Sequence, residues 1–153
     1  MTKLWDLLSE REKVGLDSAV FIYYLNRQKP YFPLCLEILK RIEAGRLRGV
    51  ISVVNEMEML AIAPTESREQ MVNDVERLLD RLTNLDILSV DRAIARRAAE
   101  LRAHARVRGL DALVAATALS SGCGFLLGND AEFARRVTDI TYILLDDFVE
   151  TAT

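Results

Sequence analysis

The chain has 153 residues, half of them hydrophobic and 28% charged. That length fits one domain with a real core, and that balance excludes a disordered or collagen-like chain. Twenty Lys and Arg stand against 23 Asp and Glu, a net charge of −3, so any nucleic-acid contact must rest on local charge. No apolar run approaches the ~20 residues that a membrane helix needs. The first residues carry Asp6, Glu10 and Glu12 instead of a cleavable apolar stretch, so the expected location is the cytoplasm, with no membrane partner. Cys35 and Cys123 lie far apart with no CxxC spacing and read as buried free thiols. One histidine leaves no His-rich zinc site and no His-based triad, so metal chemistry here would need oxygen ligands.

In chain order, Thr2 to Lys13 reads as a short amphipathic helix with Leu4, Trp5, Leu7 and Leu8 on one stripe. Val14 to Ser18 is a brief apolar strand that runs into Asp17, and a helix from Ala19 to Asn26 follows. After a turn around Pro30 and Pro33, a helix runs from Pro33 to Gly45, where glycine suits a C-terminal cap. Gly49 to Val54 has the length and β-branching of a buried strand. Asn55 to Ile62 is helical, Pro64 breaks it, and Thr65 to Thr83 forms a long helix. Leu85 to Leu88 is a third strand, and Asp91 caps a helix from Arg92 to Arg108 that Gly109 ends. Leu110 to Ser120 is helical, Gly124 to Leu127 is a fourth strand, a short helix reaches Arg136, and Thr141 to Leu145 is a fifth strand.

Strands alternate with helices throughout and are continuously apolar. That pattern predicts one domain over 1–153, a three-layer α/β/α sandwich around a mostly parallel sheet of about five strands. Residues 1–13 form a helical extension that covers an edge or contacts a partner. In such sheets the ligand site lies at the carboxyl ends of the strands. Asp17 ends the first strand, Glu58 follows the second, Asp111 opens the helix before the fourth, and Asp130 follows the fourth. Gathered at one edge, these carboxylates would repel one another, and a hard divalent cation would relieve that. A histidine-poor acidic cluster suits phosphate-ester chemistry. Singly, each has a plainer use: Asp111 and Asp130 as helix caps, Asp17 as a turn or capping residue, Glu58 as a solvated charge.

The stretch Gly15-Leu16-Asp17-Ser18-Ala19-Val20 resembles the opening strand of PIN-domain nucleases, with its first acid at Asp17. Ile51 to Leu60 is similar to the family's second motif, in which the acid lies six residues after a serine; Ser52 thus selects Glu58 over Glu56. Asp111-Ala112-Leu113-Val114-Ala115-Ala116-Thr117-Ala118-Leu119 is the most specific match, and Phe125 to Phe133 resembles the fourth motif, with Asp130 as its acid. The likeness spans Val14 to Leu145, and the size is similar to the toxin ribonucleases of VapBC-type toxin–antitoxin pairs. The resemblance implies a Mg²⁺-dependent (or Mn²⁺-dependent) RNA endonuclease whose metal is held by Asp17, Glu58, Asp111 and Asp130. It also implies a homodimer and a small antitoxin that blocks the site. Two positions depart from the pattern. Gly128 stands where a Thr or Ser hydroxyl usually helps to orient the acids, and Asn55 stands where a small or hydroxyl residue is usual.

Arg135 and Arg136, next to Asp130, are candidate RNA contacts, and the arginines from Arg92 to Arg108 read either as phosphate contacts or as a solvated face. Tyr23-Tyr24 and Tyr31-Phe32 offer faces for bases or for a protein interface, the latter being the expected use. Asp17 is followed by Ser18-Ala19, so the DxD nucleophile of haloacid-dehalogenase-type phosphatases is absent. The alternative to the nuclease is a catalytically weak module of the same fold that binds RNA or a protein.

Overall fold

The computed structural model describes residues 3–149. The strands are β1 (Glu12–Leu16), β2 (Leu47–Ser52), β3 (Leu85–Leu88), β4 (Phe125–Gly128) and β5 (Thr141–Leu144). They form a single sheet in the order β3-β2-β1-β4-β5, parallel at every pairing. The helices are α1 (Leu4–Leu7), α2 (Ser18–Leu25), α3 (Phe32–Glu43), α4 (Val53–Ala61), α5 (Arg68–Arg81), α6 (Arg92–Ala105), α7 (Gly109–Ser120) and α8 (Ala131–Arg136). The expected three-layer α/β/α sandwich is therefore the fold, and its sheet is wholly parallel.

Each face of the sheet carries its own core. Val14, Leu16, Ile51 and Leu127 pack with Phe21 of α2, Ile38 and Ile42 of α3, and Leu78 of α5. Val50 and Leu126 pack with Ile94 and Leu101 of α6 and with the alanines of α7. Central strands buried on both sides need no alternation, and Val14, Gly15 and Leu16 are all buried. The two edge strands are wetter: Ile87 of β3 is 38% exposed. Small residues set the spacing on the α7 side. A Cβ at Gly15 would lie 2.8 Å from the Ala118 Cβ, so glycine on β1 and alanine on α7 let helix and sheet close up.

The N-terminal segment differs from its predicted helix. Only one turn, Leu4–Leu7, is helical; Leu8 is extended, and β1 begins at Glu12, inside the stretch expected to be helix. Burial, not helix length, anchors the segment. Leu4 and Leu8 enter the core, and the Arg41 guanidinium sits 3.9 Å from the Trp5 ring centroid. The Thr2 end of that prediction lies outside the described residues. β2 stops at Ser52 and not Val54, because Ser52 takes up the N-cap of α4 and accepts the Val54 N–H at 3.1 Å. Pro64 does break the chain, but Thr65–Ser67 is a 3-10 turn before α5. The predicted Arg92–Arg108 helix ends at Ala105, where Arg106 turns left-handed (φ 55°) and Arg108 becomes the extended N-cap of α7. Gly109 consequently begins a helix where the sequence predicts that it ends one. Cys35 and Cys123 are buried and free, as expected, and burial raises their thiols to about 12 and about 11. Among the described residues no helix is long and apolar enough to cross a membrane.

Candidate active site

Sheet order reverses at β1, with β2 on one side and β4 on the other, and the carboxyl ends of these three strands carry the site. Each ends in a side chain that caps the next helix. Asp17 caps α2, accepting the Ser18 N–H at 2.8 Å; Ser52 caps α4; Asp130 caps α8, accepting the Glu132 and Phe133 N–H groups at 3.0 Å each. The capping roles of Asp17 and Asp130 are therefore real, and each still has a second carboxylate oxygen free of the cap, whereas Asp111 does not cap α7, whose N-cap is Arg108. Glu58 comes from the middle of α4 and Asp111 from the first turn of α7.

The carboxylates are linked through their charges: Asp17 lies in range of Asp111 and Glu58, and Asp111 in range of Asp130 and Glu58. Burial first, and then the charges of Asp111 and Glu58, raise Asp17 from 3.8 to about 6, against the opposing Ser18 hydrogen bond. Burial first, and then Asp130 and Glu58, raise Asp111 from 3.8 to about 6, with the Arg108 charge pulling the other way. Among the described residues no three His, Cys, Asp or Glu side chains are drawn into one ready coordination cluster. The structure thus brings the four predicted acids to one edge as a loose, charge-coupled group. Glu56, passed over in favour of Glu58, makes no side-chain hydrogen bond to this group.

Four polar residues that sequence reasoning did not assign to the site organise these acids. Ser18 donates its hydroxyl to Glu58 Oε1 at 2.8 Å. Asn55 is fully buried; its Nδ2 donates to Ser18 Oγ at 3.1 Å and, more weakly, to Asp17 Oδ1 at 3.4 Å, while its Oδ1 accepts the Ser52 N–H at 2.9 Å. Tyr142 reaches in from β5: its hydroxyl accepts the Asp130 N–H at 3.2 Å and donates to Asp17 Oδ2 at 3.3 Å. Burial and the Asp17 charge push that hydroxyl well above its ordinary value, so it stays a proton donor. Ser52 and Asn55 carry a sequence signal, a capping pair three residues apart at a strand-to-helix junction. Tyr142 carries none, because its place depends on which strand lies beside β4.

The basic residues divide. Arg136 donates to the Arg106 carbonyl at 2.7 Å and to Glu132 at 2.6 Å, so it ties α8 to the end of α6. Arg135 is 74% exposed and only 3.9 Å from Glu132, and Arg108 is 80% exposed. Arg102 and Arg108 line a groove of about 650 Å³ that has Ala95, Ala98, Ala99 and Leu110 as its apolar wall and Glu58 and Asp111 at its acidic side. The paired aromatics are spent on each other. Tyr23 stacks on Tyr31 with centroids 4.2 Å apart, and Tyr24 stacks on Phe32 at 5.7 Å.

The sequence profile of the PIN domain matches residues 14–138. The chain belongs to the PIN-domain family. No curated protein matches its sequence. Solved structures share the PIN fold. The DNA-bound VapBC of Salmonella typhimurium superimposes with a TM-score of 0.69 at 21% identity, covering 88% of this chain and 98% of that one. FitAcB of Neisseria gonorrhoeae gives 0.65 at 18%, covering 86% and 97%. VapC20 of Mycobacterium tuberculosis, a toxin that cleaves the sarcin–ricin loop, gives 0.62 at 15%, covering 80% and 93%. At these identities the likeness is one of fold.

Proposed function

We propose that this PIN-domain protein is a Mg²⁺-dependent endoribonuclease and acts as the toxin of a toxin–antitoxin pair. One observation carries the reading: Asp17, Glu58, Asp111 and Asp130, from four separate elements, gather at the carboxyl ends of β1, β2 and β4, and burial together with the neighbouring carboxylates raises Asp17 and Asp111. Carboxylates held so close at neutral pH need a cation, and an all-oxygen donor set suits Mg²⁺ or Mn²⁺. Asp17, Glu58, Asp111 and Asp130 would hold it. Bound there, the ion supplies Lewis acidity toward a water nucleophile and toward the phosphoryl oxygens of RNA.

The chain's own groups do the rest. Ser18 fixes Glu58, and Asn55 fixes Ser18 and touches Asp17, so the acids meet a substrate with their rotamers set. Arg108, exposed beside Asp111, is placed for a substrate phosphate. Arg135 is placed similarly beside Asp130, whereas Arg136 serves first as a tie between helices. The apolar groove next to Glu58 and Asp111 suits an antitoxin segment that would block the site, and the VapBC likenesses support such a partner. A homodimer is part of the proposal. Val53 and Met57, one turn apart on α4, and Leu110 are large apolar side chains exposed at 38%, 49% and 45%.

The test is cleavage of a labelled total-RNA pool by purified protein freed of any antitoxin. Arms with Mg²⁺ or Mn²⁺, with EDTA, and with the Asp111→Asn variant are compared. Discrete fragments in the metal arm alone support the nuclease. Intact RNA in every arm, with RNA still bound, supports the binding-module alternative.

A further inference from the structure

We propose that the Tyr142 hydroxyl is a positioning group of the acidic site, standing in the space that a side chain at position 128 would fill. The inference rests on the nuclease reading above and names a part of that site. A Cβ built on Gly128 lands on the Tyr142 hydroxyl oxygen and comes within 2.9 Å of both the Tyr142 Cζ and the Asp17 Cβ. Gly128 and Tyr142 are thus a matched pair, since only a residue without a side chain leaves room for the phenol. Strand register explains the reach. Tyr142 pairs with Leu126, two residues before Gly128 and on the same face, so its long side chain lies along β4 toward the strand's end. The Phe133 ring, 5.0 Å away and tilted by 50°, flanks the phenol.

From there the hydroxyl makes two bonds that no other side chain among the described residues makes. It accepts the Asp130 backbone N–H at 3.2 Å and donates to Asp17 Oδ2 at 3.3 Å. One oxygen therefore links the start of α8, which carries Asp130, to the carboxylate that ends β1. Position 128 is where the sequence lacks the hydroxyl of the motif it resembles, and β5 supplies one in its place.

The test measures Mn²⁺ affinity by titration calorimetry on the purified full chain, alongside RNA cleavage and thermal melting. Four proteins are compared: wild type, Tyr142→Phe, Gly128→Ser, and Gly128→Ser combined with Tyr142→Val. The Phe variant keeps the ring and its melting temperature to within a few degrees. It binds Mn²⁺ about tenfold more weakly, the loss expected for one hydrogen bond to a charged group, and it lowers kcat with KM for RNA unchanged. Gly128→Ser collides with the phenol and loses Mn²⁺ binding. Removing the phenol in the double variant leaves the Asp17 Cβ, 2.9 Å away, as the closest remaining neighbour, and a small shift there lets a serine hydroxyl sit beside Asp17 and restore part of the lost affinity. Should the Phe variant not fold, the rescue by the double variant carries the test. A Phe variant that binds Mn²⁺ and cleaves as wild type does, or a double variant no better than Gly128→Ser alone, overturns the inference and leaves the nuclease reading standing. A wild type that neither binds Mn²⁺ nor cleaves RNA overturns both.

Discussion

The Ser18 hydroxyl donates to Glu58 Oε1 across 2.8 Å, a bond between the helix that follows β1 and the helix that follows β2. Ser18 is buried and also accepts from Asn55, so the carboxylate of Glu58 is held from a part of the chain 40 residues away. Ser18→Ala leaves the Asn55 amide without this acceptor and Glu58 free to rotate. We expect a stability loss of about 1–2 kcal/mol by chemical denaturation. Cleavage should fall more than stability predicts, about tenfold in kcat with the protein still folded. Wild-type turnover in Ser18→Ala would mean that Glu58 needs no such guide.

Asn55 makes a sharper demand, because all of its side-chain polar groups are buried and satisfied from three different residues. Asn55→Ala strands the Ser52 N–H and removes the donor to the Ser18 oxygen, while the Ser18 hydroxyl still donates to Glu58. The expected cost is about 2–3 kcal/mol of unfolding free energy, read from the shift in denaturant midpoint at constant slope. A cost below about 0.5 kcal/mol would mean that water replaces the amide without penalty.

Three of the candidate acids were legible because they sit at recognisable junctions: Asp17 and Asp130 follow apolar strands and Asp111 opens an apolar helix. Glu58, in the middle of α4, was singled out over Glu56 by the resemblance to the family's second motif, with its acid six residues after Ser52. The sheet was legible for a related reason: β1 and β4 are apolar on both faces, which only a covered parallel sheet requires. What escaped was whatever depends on the lateral order of strands or on a single backbone angle. Tyr142 reads as an edge aromatic until β5 is known to lie beside β4. The end of α6 reads as one turn too long because Arg106, not a glycine, takes the left-handed conformation there.

Metal-free stability carries a pH signature of definite sign. Asp17 and Asp111 have folded values raised to about 6 from 3.8, burial being the largest cause for both. Between about 4 and 6 the folded state holds more protons than the unfolded state, so stability falls as pH rises through that window and the penalty is complete above it. In EDTA at pH 7.5, Asp17→Asn and Asp111→Asn should each raise the melting temperature. The gain should shrink at pH 4.5, and Mg²⁺ should stabilise the wild type more at the higher pH. Substitutions that are neutral at both pH values would place both carboxylates back at ordinary ionisation.

Two glycines on either side of the same strand pairing separate packing from conformation. At Gly15 a Cβ meets the Ala118 Cβ at 2.8 Å and the Leu126 Cδ1 at 3.0 Å, whereas at Gly124 it meets nothing within 4 Å. Gly15→Ala should cost about 1–3 kcal/mol by overpacking, because the Ala118 Cβ is fixed to the α7 backbone and Leu126 is fully buried. Gly124→Ala should fall within about 0.5 kcal/mol of wild type. Denaturant melts of the two variants decide it, and equal costs would mean that the α7–sheet spacing is soft.

Arginines near the site should part company when tested by salt. Arg108 is 80% exposed, its nearest carboxylate oxygen is 4.0 Å away on Glu132, and it faces Asp111. Arg136 spends its guanidinium on the Arg106 carbonyl and on Glu132. A phosphate contact contributes about one unit to the slope of log affinity against log salt. Arg108→Ala should therefore weaken RNA binding and reduce that slope by about one, with melting unchanged. Arg136→Ala should instead lower the melting temperature, because it frees the left-handed end of α6 from α8, and should leave the slope near its wild-type value. Filter-binding isotherms at four salt concentrations, on the Asp111→Asn background so that the RNA stays intact, read both quantities. The reverse pattern would make Arg136 the phosphate ligand and Arg108 a solvated cap of α7.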